Sequence, residues 1–71
     1  MSIQQLNPRN QFRGQVVAIN EGPVLSEVDV ETPGGIVTSV ITTRSVKELG
    51  LKTGSDVLAF VKATEVALAR L

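Results

Sequence analysis

The sequence predicts a small all-β domain. β-branched runs recur along the chain, apolar and charged residues alternate with the period of a strand around residues 27–31, and clusters of Gly, Pro, Asn and Thr separate the runs. With 71 residues the chain reads as one domain, 1–71. A domain of this size buries a small share of its surface, so its core is marginal when it stands alone. Cys and His are both absent, which excludes disulfides and a zinc cage as reinforcement. Self-association is the remaining source of extra burial.

Residues 1–8 read as a lead-in that stops at Pro8. From Phe12 the chain reads as a first strand through Gln15, Val16, Val17, Ala18 and Ile19, and Asn20, Glu21, Gly22 and Pro23 supply turn chemistry. Residues 24–31 form a second strand, with Val28 and Val30 facing the core and Glu27, Asp29 and Glu31 facing water. Thr32, Pro33, Gly34 and Gly35 close a hairpin into a third strand, 36–42. On that strand Val37, Ser39 and Ile41 oppose Ile36, Thr38, Val40 and Thr42. Thr42 or Thr43 is placed to cap a short helix over 45–49, and Gly50 suits the left-handed residue that ends it. Val46 and Leu49, three apart, are expected to plug one end of the barrel. After a turn at Lys52, Thr53, Gly54 and Ser55, a fourth strand is expected over 56–62 and a fifth over 64–71. Three strands, a helix and two strands in that order suggest a five-stranded, partly open barrel of the OB type, with the helix between strands 3 and 4. The helix disfavours an SH3-like barrel.

Seven basic and seven acidic residues give a formal net charge of zero, whereas a nucleic-acid binder normally carries a basic excess. Without Cys or His, most nucleophiles and imidazole bases are missing, and no carboxylate pair is placed for acid–base work. A binding protein is expected rather than an enzyme. No apolar run approaches the roughly 20 residues that span a bilayer, and Met1, Ser2, Ile3, Gln4, Gln5 and Leu6 lack the features of a signal peptide. A cytoplasmic protein, with no membrane and no nucleic-acid partner, is the expectation.

Three segments offer donors suited to an anion. Arg9 carries a planar fork of N–H groups, flanked by Asn7, Asn10 and Gln11. Thr38, Ser39, Thr42 and Thr43 place hydroxyls along the third strand and just beyond it, although Thr is also simply a good strand former. Lys62 and Thr64 flank the small Ala63, which lets a ligand approach the backbone closely. Taken singly, each segment reads more readily as a solvated loop, an ordinary strand or an exposed strand end than as a site.

Together, Arg9-Asn10-Gln11-Phe12-Arg13-Gly14, Thr38-Ser39-Val40-Ile41-Thr42, Ser45 through Gly54 and Val61-Lys62-Ala63-Thr64-Glu65-Val66 resemble the molbindin family, small molybdate-binding proteins built on one Mop-type (TOBE) domain. The resemblance covers about residues 7–68. It implies an OB-like subunit and a homo-oligomer, a hexamer arranged as a trimer of dimers. It also implies molybdate or tungstate held as an oxyanion between subunits, for intracellular storage and homeostasis of molybdenum. Carried over by position, it implies Arg9, Lys62, Ala63 and Thr64 as ligands, with Thr38, Ser39 or Thr42 contributing from the strand. Where the family usually has Ser-Ala before the Arg, this chain has Asn7-Pro8, so Asn7 offers an amide in place of a hydroxyl. Two other readings compete. A single-stranded nucleic-acid module would stack bases on exposed aromatics, but only Phe12 and Phe60 are present and both are expected to pack inside the barrel. A ligand-sensing module of a molybdate transporter or regulator would need a separate partner to act.

Overall fold

The computed structural model describes residues 9–71. Strands β1 (Asn10–Glu21), β2 (Leu25–Thr32) and β3 (Gly35–Thr42) are followed by helix α1 (Thr43–Glu48), strand β4 (Asp56–Val61) and a single 3-10 turn (Ala63–Glu65). The four strands form one antiparallel sheet in the order β3-β2-β1-β4.

The curl of the sheet follows from β1 serving two partners. Its first half, Asn10 to Gln15, pairs with β4, and its second half, Gln15 to Glu21, pairs with β2. At the crossover stands Gly14, where an added Cβ would lie 2.2 Å from the Glu31 carbonyl oxygen and 2.8 Å from Val30 Cγ1. Only a residue without a side chain lets the backbones pass so closely. A bulge between Val16 and Ala18 then shifts the alternation by one. Val16, opposite Val30, and Ile19, opposite Val28, consequently both reach the core although they are three residues apart.

That core is small: Val16, Val28, Val30 and Val46 are at most 4% exposed, with Ile19, Ile41, Leu51 and Val57 packed against them. The alternation expected on β2 and β3 is present: Val28 and Val30 are buried, and Val37, Ser39 and Ile41 are half-buried while their neighbours on β3 face out.

Thr42 is the residue that caps α1. Its hydroxyl accepts from the Ser45 N–H at 3.0 Å. The helix ends in a Schellman motif, with the Gly50 N–H bonded to the Lys47 carbonyl at 3.1 Å and the Leu51 N–H to the Val46 carbonyl at 3.0 Å. Gly50 takes the required positive φ of 63°. Beyond it, the Gly54 N–H donates to the Val16 carbonyl (2.8 Å) and the Val16 N–H to the Ser55 carbonyl (3.0 Å), pinning the loop to the core strand.

Three expectations need correction. The fifth strand does not form: after β4 the chain makes the 3-10 turn and continues through 66–71 without ladder partners among the described residues. The apolar spacing there suits a strand, but no neighbouring edge within the subunit receives it. Of the expected plug, Val46 is buried and Leu49 is 68% exposed, because the Schellman turn directs Leu51 rather than Leu49 toward the core. Phe60, paired with Gln11 on the outward face of the β1–β4 ladder, is 51% exposed, and Phe12 sits at the thinly covered end of the inward face.

Candidate oxyanion-binding site

At the open end of the β1–β4 ladder the last rung is Asn10 opposite Val61. The Asn10 side-chain amide donates to the Val61 carbonyl at 3.4 Å, so it helps hold the rung together. Arg9 directly precedes this rung on one strand and Lys62 directly follows it on the other, and both are exposed. Lys62 starts the 3-10 turn, whose own bonds are donated by Glu65 to the Lys62 carbonyl (2.9 Å) and by Val66 to the Ala63 carbonyl (3.3 Å). The amides of Ala63 and Thr64 precede these bonds, as the first N–H groups of any such turn do. The ladder therefore gathers two cations, two backbone amides and the Thr64 hydroxyl at one place. That donor set suits a multivalent anion.

The hydroxyls of β3 are differently placed. Thr38 and Thr42 point to the outer face and Ser39 to the inner. The Thr38 hydroxyl donates to Asp29 Oδ1 at 2.7 Å, beside a carboxylate that would repel an anion. The Thr42 hydroxyl is occupied as the helix cap, accepting from the Ser45 N–H and donating to Ser45 Oγ at 2.7 Å. Ser39, half-buried, makes no side-chain hydrogen bond among the described residues. Asn7 lies outside the described residues.

The two groups are far apart within one chain. Two strands separate β3 from β4 in the sheet. Ser39 is level with Val28 and, through it, with Ile19, nine residues along β1 from Asn10. At about 3.3 Å per residue that is roughly 30 Å of strand. Measured along the sheet, that path is many times longer than the hydrogen bonds near 2.8 Å that a single oxyanion makes.

A buried hydroxyl pair was not apparent from the sequence. Ser26 Oγ lies 2.7 Å from Thr43 Oγ1, which in turn donates to the Gly22 carbonyl at 2.7 Å, while the Thr43 N–H bonds the Val24 carbonyl at 2.8 Å. With the Thr43 proton directed to Gly22, Ser26 is the donor of the pair. The chain of bonds ties the β1–β2 turn to the start of α1 and so fixes the end of β3. Ser26 shares the inward face of β2 with Val28 and Val30, but nothing local in the sequence points to its partner.

A broad concavity of about 500 Å³ lies elsewhere, lined by Arg13, Gly14, Gln15, Asp56, Val57 and Leu58. The Asp56 carboxylate there accepts from the Gln15 amide at 3.1 Å, which makes the surface a poor host for a dianion. No cluster of His, Cys, Asp and Glu among the described residues could hold a metal ion. None of the described helices is long and apolar enough to cross a membrane.

A curled β-sheet closed at one end by a short helix, with donors gathered at one ladder end, defines a small ligand-binding domain of OB-like build. Residues 6–68 match the TOBE domain family. The chain is 44% identical over 64 residues to molybdenum-pterin-binding protein 2 of Clostridium pasteurianum, covering 89% of this chain and 94% of that protein. Among solved structures, a molybdate-binding protein from Sporomusa ovata superimposes with a TM-score of 0.89 at 31% identity, covering 94% of this chain and all of the other. The molybdate-bound form of the cytoplasmic molybdate-binding protein ModG gives 0.80 at 40% identity, covering 86% of this chain and 44% of that one. The chain belongs to the TOBE domain family, in its molbindin branch.

Proposed function

We propose that this protein binds molybdate, or the isosteric tungstate, at contacts between identical subunits, and serves as a cytoplasmic store and buffer of molybdenum. Its relatives are molybdate-binding and molybdenum-pterin-binding proteins, which supports the ligand and a binding role rather than catalysis. The observation that supports an intersubunit site is the separation of the two donor groups: Arg9, Lys62, Ala63 and Thr64 at one end of the β1–β4 ladder, and Ser39, whose hydroxyl is not already engaged as those of Thr38 and Thr42 are, on β3. One copy supplies half a shell, and a second copy turned against it supplies the rest. Asn7, two residues before Arg9, adds an amide to the first group. A homohexamer built as a trimer of dimers is the assembly proposed.

The chemistry favours a fully deprotonated tetrahedral dianion. Molybdate offers only acceptors, and the site offers guanidinium, ammonium, amide and hydroxyl donors. Protonated phosphate would present an O–H without an acceptor, a penalty of roughly 1–3 kcal/mol. Sulfate has the same charge and shape but is smaller, so discrimination against it rests on cavity size. Because the shell is completed across an interface, bound anion stabilises the assembly by mass action.

Calorimetric titration of molybdate into the wild type, Arg9→Ala and Lys62→Ala tests the assignment. A charge-assisted hydrogen bond contributes roughly 1.5–3 kcal/mol, so each variant is expected to bind about tenfold to a hundredfold more weakly. Unchanged affinity in both variants removes the site from this end of the ladder. Native mass spectrometry with and without molybdate reads the subunit count and anion loading together.

A further inference from the structure

We infer that Asn10 is a positioning residue for the anion site: its side-chain amide clamps the last rung of the β1–β4 ladder and so aims the turn that carries Lys62, Ala63 and Thr64. This role rests on the anion site proposed above at the same end of the ladder. By residue type alone, Asn10 is a candidate ligand, with N–H groups to offer an anion. Its Nδ2 instead donates to the Val61 carbonyl at 3.4 Å, across 51 residues of sequence. The amide cannot be turned over there, because its own oxygen would then face another carbonyl oxygen. Asn10 is half-buried, so the bond is partly shielded from competing water.

The rung needs a clamp because of where it stands. Asn10 is the first residue of β1 and Val61 the last of β4, so no further rung follows toward Arg9 and Lys62. Such ends open most readily. The Arg9 and Lys62 side chains make no ion pair or hydrogen bond with another described residue. Their placement therefore depends on the backbone that carries them.

That backbone is what Asn10 holds. The Val61 carbonyl belongs to the planar peptide that joins Val61 to Lys62. Fixing its oxygen fixes the plane of that peptide, and with it the direction in which the chain leaves the ladder. Lys62 is extended and opens the 3-10 turn, where its carbonyl accepts from the Glu65 N–H at 2.9 Å. The Ala63 and Thr64 amides follow within the same turn, so one side-chain bond orients three donors at once.

The test compares full-length wild type, Asn10→Ala, Lys62→Ala and the double variant at one protein concentration. Molybdate affinity is read by calorimetry. On the anion-free proteins, NMR follows hydrogen exchange at the Glu65 and Val66 amides, which close the turn. Asn10→Ala is expected to bind molybdate about three- to tenfold more weakly, the scale of one neutral hydrogen bond. In the double variant the loss should fall at least about twofold short of the product of the two single losses, because both changes act on one donor group. The two turn amides of Asn10→Ala should exchange at least about fivefold faster while the urea midpoint holds, which a general loss of stability would not produce. Wild-type affinity in Asn10→Ala beside a weakened Lys62→Ala overturns the inference and leaves the anion site standing. Losses that multiply, or turn amides that exchange as in the wild type, overturn it too. Wild-type affinity in Lys62→Ala removes the anion site from this end of the ladder, and the role of Asn10 in binding falls with it.

Discussion

The two ends of the candidate site show opposite uses of the same kind of group. At the β1–β4 ladder end, Arg9, Lys62 and the first amides of the 3-10 turn are exposed and contribute little to holding the fold. On β3, the hydroxyls that look equally suitable in sequence are largely engaged: Thr42 caps the helix, and Thr38 bonds Asp29. The difference teaches that a hydroxyl's chemical type says little about its availability. What decides it is whether a backbone amide or a carboxylate has already taken it.

Four substitutions break or sharpen that contrast. The largest effect is expected at Gly14, which joins the two halves of β1. Gly14→Val drives a side chain into the Glu31 carbonyl and Val30, neither of which can withdraw easily. Overpacking of this kind costs about 3 kcal/mol or more, read as a lower urea midpoint, and anion affinity falls with the fold. Next is Thr43→Val, which leaves the Gly22 carbonyl without its donor and Ser26 without its acceptor. A loss of roughly 1–3 kcal/mol of stability is expected, again by urea unfolding. Thr42→Ala removes a helix cap and is expected to lower stability by about 1 kcal/mol, while the calorimetric affinity for molybdate stays within twofold of wild type. Ser39→Ala should do the converse. Its thermal midpoint should hold, and affinity should fall by a few-fold, as for a neutral hydrogen bond of about 0.5–1.5 kcal/mol. If Thr42→Ala weakened binding and Ser39→Ala did not, the contrast drawn on β3 would be reversed.

The exposed ion pair between Arg44 and Glu48, 3.1 Å apart on the surface of α1, belongs to neither side of this contrast. Both side chains are solvated, and such i,i+4 pairs contribute little.

Much of the fold was legible in local chemistry. Alternation of Val28 and Val30 with Glu27, Asp29 and Glu31 marked a strand with one wet face. Thr42 or Thr43 and Gly50 marked the ends of the helix, with the structure choosing Thr42 as the cap, and the turn residues 32–35 marked the hairpin. These signals are local because caps, turns and pleats are set by residues within a few positions of each other. The bulge at Val17 was not legible, since it is defined by the pairing of β1 with a strand distant in sequence. The exposure of Leu49 and Phe60 was equally hidden, because either could pack inward by spacing alone.

By itself the sequence determined the first four strands, the helix ends, the absence of Cys and His and with them of disulfides and a zinc cage, and a set of donors of the right type for an oxyanion. The tertiary structure decided which hydroxyls are engaged, which face carries Ser39, and that residues 66–71 find no edge within their own subunit. The physical reason is range. Backbone conformation answers to near neighbours, whereas hydrogen-bond partners and strand pairing join residues tens of positions apart, as between Asn10 and Val61 across the ladder.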